Sequence, residues 1–259
     1  MFRCRASLPG LLLFTGIGTL IVAWTAVVLV DVVGSQPEIP LWARLFTEQG
    51  PIEVVQWTLL LAGVVVCMWG MRAERSPGER FLTVMAFALV LMFAEDFANV
   101  SHLVRSSLVD EADRVGTMAA RMAVYAVIAA VPILAFTRYW RQLRQGRGAL
   151  ATGFVLYAIA ASASVPANLF ALYERLGPRL VSALGLRSLP EGSLHFPEYE
   201  AVDLTGVAFL DFAVEESFEL LGATFLVAGL ASVAVGLRSN SGDGPPIPAD
   251  GNGDRSTDA

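Results

Sequence analysis

From Leu11 to Val30 the chain runs without a charged side chain, about the 20 residues an α-helix needs to cross the hydrocarbon of a bilayer. Runs of this length recur, at roughly 11–33, 52–71, 81–101, 117–137, 149–172 and 204–235. Lipid offers no partner to backbone N–H and C=O groups, so each run must be helical; a barrel would show short alternating strands instead. The expectation is an all-α, polytopic transmembrane helix bundle of about six spans occupying 1–238. Composition agrees: 16% of the residues are charged, where a soluble domain carries about a quarter.

The first run has no small-x-small site after it and ends at Asp31, so it reads as an uncleaved span and not a signal peptide. The arginines set the orientation. Arg3 and Arg5 precede span one, Arg72, Arg75 and Arg80 lie between spans two and three, and Arg138, Arg141, Arg144 and Arg147 lie between four and five. By the positive-inside rule these segments, and both termini, are expected in the cytoplasm. The tail 239–259, rich in Gly, Pro, Ser, Asn and Asp, cannot bury enough apolar surface to order itself and is expected to be a disordered cytoplasmic tail. Leu41–Phe46 and Leu176–Leu186 mix apolar and basic residues and read as short helices lying in the membrane interface. Cys4 and Cys67 have neither disulfide nor metal-ligand spacing.

The polar residues within the spans fall on one side. Counted from the cytoplasmic end, Glu95 and Asp96 stand roughly 21 Å up span three, in its outer third. Glu215, Glu216 and Glu219 reach the same level on span six, Glu53 and Gln56 on span two, and Arg121 on span four. The inner stretches 60–71, 81–92, 124–136 and 220–235 hold no ionisable group except Tyr125 and Cys67. On a helical wheel Glu95, Asn99 and His102 share an arc of about 60°, with Asp96 beside it. Asp211, Glu215, Glu219 and Gly222 share one of about 80°, with Glu216 beside it.

A carboxylate facing lipid at mid-helix costs about 2.5–3.5 kcal/mol on insertion scales. These acids are therefore expected to line a wet cavity, share protons, pair with Arg121 or bind a cation. Glu53 and Glu216 become ordinary loop charges if the span edges shift by a turn, and His195 reads as a surface histidine. An oxygen-rich set of Glu95, Asp96, Glu215 and Glu219 suits Ca²⁺, Mg²⁺ or Mn²⁺.

Three stretches carry a resemblance. Glu48-Gln49-Gly50-Pro51-Ile52-Glu53 opens span two, Ala94-Glu95-Asp96 lies in span three, and Glu215-Glu216-Ser217-Phe218-Glu219-Leu220-Leu221-Gly222 lies in span six. Together they resemble a group of uncharacterised bacterial multipass membrane proteins with E-D-G-x-x-E, G-E-E and E-E-x-x-E-x-x-G motifs. The chain departs from that pattern at Gln49, Ala94 and Asp96, and lacks the W-G-Q that follows the middle motif. The resemblance implies a shared acidic site and no particular reaction.

Three functions follow from these residues. One is a divalent-cation-dependent enzyme acting on a membrane-associated, lipid-linked substrate. In that reading Glu95, Asp96, Glu215 and Glu219 hold the metal, His102 or a protonated Glu serves as acid–base partner, and Glu53, Asn99, Glu216 and Arg121 support them. Another is a proton- or cation-coupled transporter, since intramembrane carboxylates are what such proteins use. The third is a non-enzymatic assembly or sensor protein whose acids pair with a partner membrane helix. No Walker-type loop or G-x-S-x-G is present, and no nucleic-acid partner is expected.

Overall fold

The computed structural model describes residues 7–34, 38–47, 49–71, 76–98, 100, 114–163, 170–189 and 205–240. The described residues are helical, with no strand among them. In chain order the helices are α1 (Leu8–Val27), α2 (Leu41–Phe46), α3 (Pro51–Gly70), α4 (Pro77–Ala98), α5 (Arg114–Tyr139), α6 (Arg147–Ala163), α7 (Phe170–Ala183), α8 (Thr205–Ala208) and α9 (Glu215–Asn240). Two π-helical segments, Val28–Val33 after α1 and Phe209–Val214 between α8 and α9, extend the first and last spans.

Among the described residues five helical segments are long and apolar enough to cross a membrane: Leu8–Val33, Leu41–Gly70 (α2 with α3), Pro77–Ala98, Met122–Tyr139 and Thr205–Ser239. The chain is an integral membrane protein with an all-α fold. The run expected at 149–172 corresponds to a shorter apolar helix, Arg147–Ala160, and residues 164–169 lie outside the described residues. So do the tail 241–259 and most of the loop containing His102.

Helix α9 is the axis of the bundle. Its main seams are with α6, α3 and α1, and α4 lies behind α3. Small residues let these backbones approach, as is usual where helices pack without a hydrophobic driving force between them. A Cβ on Gly63 would stand 2.9 Å from Val227 and one on Gly70 2.7 Å from Ala234, so α3 and α9 run parallel. A Cβ on Gly153 would stand 2.7 Å from Leu226 and one on Gly229 2.7 Å from Leu150, so α6 and α9 run antiparallel. Helix α5 is different: its one extensive seam among the described residues is with α4.

Helix α2 forms where the sequence places a short helix, but it turns its apolar side inward. Trp42 and Phe46 are fully buried. The Trp42 ring meets Phe209 edge-on at 5.5 Å, and Phe46 packs on Trp24 at 5.1 Å. The cause is Asp31, itself buried, whose carboxylate accepts the N–H groups of Leu41 (2.7 Å) and Trp42 (3.0 Å). It caps the helix from outside its own sequence and ties it to the end of span one. We expect Asp31→Ala to lower the unfolding free energy by about 2 kcal/mol, with Asp31→Asn milder. Denaturation in mixed micelles would read this, and equal loss in the two variants would contradict the capping role. Helix α7 leaves Leu176, Leu180 and Leu184 exposed beside Arg175 and Arg179, while Tyr173 and Val181 are buried.

Candidate functional site: a carboxylate cluster at the head of an apolar cavity

Glu53 and Gln56 lie near the start of α3, Glu95 and Asp96 near the end of α4, and Glu216 and Glu219 near the start of α9. Because α3 and α9 run parallel and α4 antiparallel to α3, these positions converge at one end of the bundle. Gln56 ties them together. Fully buried, its Nε2 donates to Asp96 Oδ2 (2.7 Å) and to Glu219 Oε2 (2.8 Å). One amide nitrogen thus spends both hydrogens on two carboxylates from different helices. Asp96 also lies within electrostatic reach of Glu53 and Glu95. Glu216 in turn feels Glu219, Glu53, Asp96 and Glu215.

The entry to α3 is shaped for this. Gly50 sits where a Cβ would come 2.8 Å from the Leu45 carbonyl, so the turn admits no side chain there. Gln49 takes the left-handed backbone conformation, φ 61°, and its N–H is accepted by Glu53 Oε2. The Glu53 carboxylate is thereby bound to the turn at the head of its own helix, as a first-turn acid often is.

Below the acids lies a cavity of about 180 Å³ between α4, α5, α6 and α9. Its polar end is formed by Glu95, Asp96, Tyr125, Tyr157 and Glu219, and its walls by Met92, Ile128, Pro132, Ile133, Phe154 and Leu226 among others. Glu219, Gly222 and Leu226 follow one stripe of α9 at helical spacing. A Cβ on Gly222 would stand 2.7 Å from the Tyr157 ring, so the glycine is what lets that ring lie against α9. The lining residue Phe154 of α6 packs on Phe136 of α5, ring centroids 5.1 Å apart.

Three buried polar atoms in this region have no hydrogen-bond partner among the described residues: Gln56 Oε1, Tyr157 Oη and Glu216 Oε2. Buried polar atoms are nearly always satisfied, by protein or by ordered water. Such a set clustered around carboxylates marks a place where something else supplies the partners.

The structure therefore brings together Glu53, Glu95, Asp96, Glu216 and Glu219, with Glu215 reaching the group through Glu216. Glu216, expected at the flank, belongs to the cluster. Asp211, expected on the same arc, lies in the π-helical segment, where the spacing of an α-helix no longer applies. Asn99, His102 and His195 lie outside the described residues, as does the side chain of Arg121. Gln56 and Tyr157 are the residues sequence reading undervalued. Gln56 was legible as a polar group at the right depth, and Tyr157 as the one phenol in the apolar run 153–160.

The metal-centred expectation names Glu95, Asp96, Glu215 and Glu219, which lie at this end of the bundle. Among the described residues no group of three or more Asp, Glu, His or Cys side chains is arranged to hold a metal ion. The Gln56 amide stands between Asp96 and Glu219 and donates to one oxygen of each. Against family models, curated proteins and solved structures, the chain has no match.

Proposed function

We propose that this multi-pass membrane protein is a proton- or cation-coupled transporter whose working element is the carboxylate cluster. The observation that carries the reading is the Gln56 bridge. Asp96 and Glu219 share one neutral donor, so any charge they carry is only partly compensated. Repulsion between neighbouring acids is relieved when one of them takes a proton or when a cation arrives. A cluster of that kind binds and releases charge readily, which is the property coupled transport requires.

The apolar stretch past Phe136 and Phe154 is the barrier in this reading, and the cluster is the loaded end. The arginines of the 2–3 and 4–5 connections would keep that barrier on the cytoplasmic side of a bacterial inner membrane, with both termini inside. The acidic motifs shared with the bacterial multipass group supply Glu53, Asp96, Glu216 and Glu219, which supports treating those motifs as parts of one site.

The test is proton flux in liposomes carrying the purified chain under an imposed pH gradient. Flux should fall to background, at least about tenfold, in Glu219→Gln and in Asp96→Asn. Glu79→Gln serves as the control. Glu79 belongs to a capping box at the other end of α4, where Ser76 N–H donates to Glu79 Oε2 (2.9 Å) and Glu79 N–H to Ser76 Oγ (3.3 Å), and Gln substitutes well in such a box. Equal flux in the wild type and the two cluster variants would refute the transport reading.

A further inference from the structure

The cavity is long, mostly apolar, and acidic at one end only. Its wall also reaches the surface of the bundle. Ala129 and Ile133 on α5 and Ala158 on α6 line it and are exposed, and α5 and α6 share no extensive seam. In a membrane-spanning bundle, an apolar opening between two helices at this depth faces acyl chains and not water.

The groups presented inside are acceptors. Asp96 and Glu219 line the polar end, and the hydroxyl of Tyr157 there is shut off, with no hydrogen-bond partner among the described residues. Pro132 interrupts α5; lacking an N–H, it leaves the Ile128 carbonyl at the cavity wall without its helical donor. None of the described lining residues is basic. An anion would meet carboxylates with no basic group among those residues to neutralise it, and a neutral lipid would leave the acceptors unmet. A primary ammonium satisfies three acceptors and carries the complementary charge. The size fits as well: cavities of about 150 Å³ take up benzene, so this one holds an ammonium group and several carbons.

We infer that the cavity binds an amphiphilic organic ammonium ion that enters sideways from the bilayer. Its head group lies among Asp96, Glu219 and Tyr157, and its hydrocarbon chain runs out between α5 and α6. This rests on the transport reading only in taking the same cluster as the working site, and it names the substrate class for it.

The probe is radiolabelled hexylammonium, binding to the full chain in phosphatidylcholine nanodiscs. Saturable binding of one ion per chain is expected, at least about tenfold tighter than methylammonium, because each buried methylene contributes roughly a factor of four. Hexanoate should not compete. Ile133→Trp, and separately Ala129→Leu with Ala158→Leu, should weaken hexylammonium at least about tenfold by filling the opening. These positions are already exposed, so the fold tolerates them, and two independent blocks guard against a misfolded variant.

Discs containing phosphatidylethanolamine separate the sources. Weakened hexylammonium binding there identifies a lipid amine as the resident ligand, and unchanged binding identifies a free amine. Uptake that does not saturate, that methylammonium or hexanoate matches, or that both blocking variants leave intact would overturn the inference. If it fails while flux still depends on Glu219 and Asp96, only the substrate assignment falls. If hexylammonium binds but flux is absent, the site stands and the transport reading falls.

Discussion

Gln56→Leu is expected to lower the stability of the bundle by about 3–5 kcal/mol, the largest effect of any single change in the site. Two hydrogen bonds to carboxyl acceptors disappear, each contributing about 1 kcal/mol. What remains is worse than their absence alone, because Asp96 and Glu219 are left facing one another beside an isobutyl group. Removing one partner of a buried polar set costs the full desolvation of what is left behind. The double variant Gln56→Leu/Glu219→Gln supplies an amide from α9 in place of the one lost from α3. It should recover roughly half of the deficit, since the new amide can donate to Asp96 and one acid is gone. Unfolding in mixed micelles measures both. A single variant as stable as the wild type, or a double variant that is the sum of its parts, would show that the bridge does not organise the cluster.

Trp42→Ala should cost a further 3–5 kcal/mol, the usual range for deleting a large buried aromatic. Trp42 is fully buried, meets Phe209 edge-on, and its Nε1 reaches the Arg187 carbonyl at 3.5 Å. It is the plug that fixes α2 against the π-helical segment preceding α9, so its loss loosens the start of the helix that carries Glu216 and Glu219. Trp42→Phe keeps the edge contact and should retain about half of the lost stability. If alanine proves harmless, α2 is a loop decoration and not a part of the core. Proton flux should fall in parallel with stability, because the glutamates depend on that helix start.

The arrangement of spans was legible because membrane insertion is a strict filter: an uncharged run of sufficient length has few alternatives to a helix. Depth was legible for the same reason, and it placed Glu95, Asp96 and Glu219 at one level. The Gln56 bridge was not, since an amide at the head of span two declares its donors only when Asp96 and Glu219 arrive from elsewhere in the chain. The π-helical segments were equally hidden. They have no composition of their own, and Phe209–Val214, with Asp211 in it, reads as ordinary helix until its hydrogen bonds are seen. The burial of α2 depends on Asp31, ten residues earlier than the N–H of Leu41 that it caps. Local hydrophobic pattern carries no trace of such a partner. Tyr157 lay in plain view, but its importance comes from Gly222 on another helix, which leaves the space its ring occupies.

The unequal seams of the bundle have a mechanical consequence. Helix α9 is gripped on three sides, so shifting it would open several interfaces at once. Among the described residues helix α5 has one extensive seam, with α4, and it carries Pro132 about two turns before its end, where the helical ladder is already interrupted. Bending or tilting it disturbs that seam and the Phe136–Phe154 contact, and the work needed is correspondingly small. Any motion that admits or expels a guest will therefore be concentrated in α5, while the glutamates on α9 keep their positions.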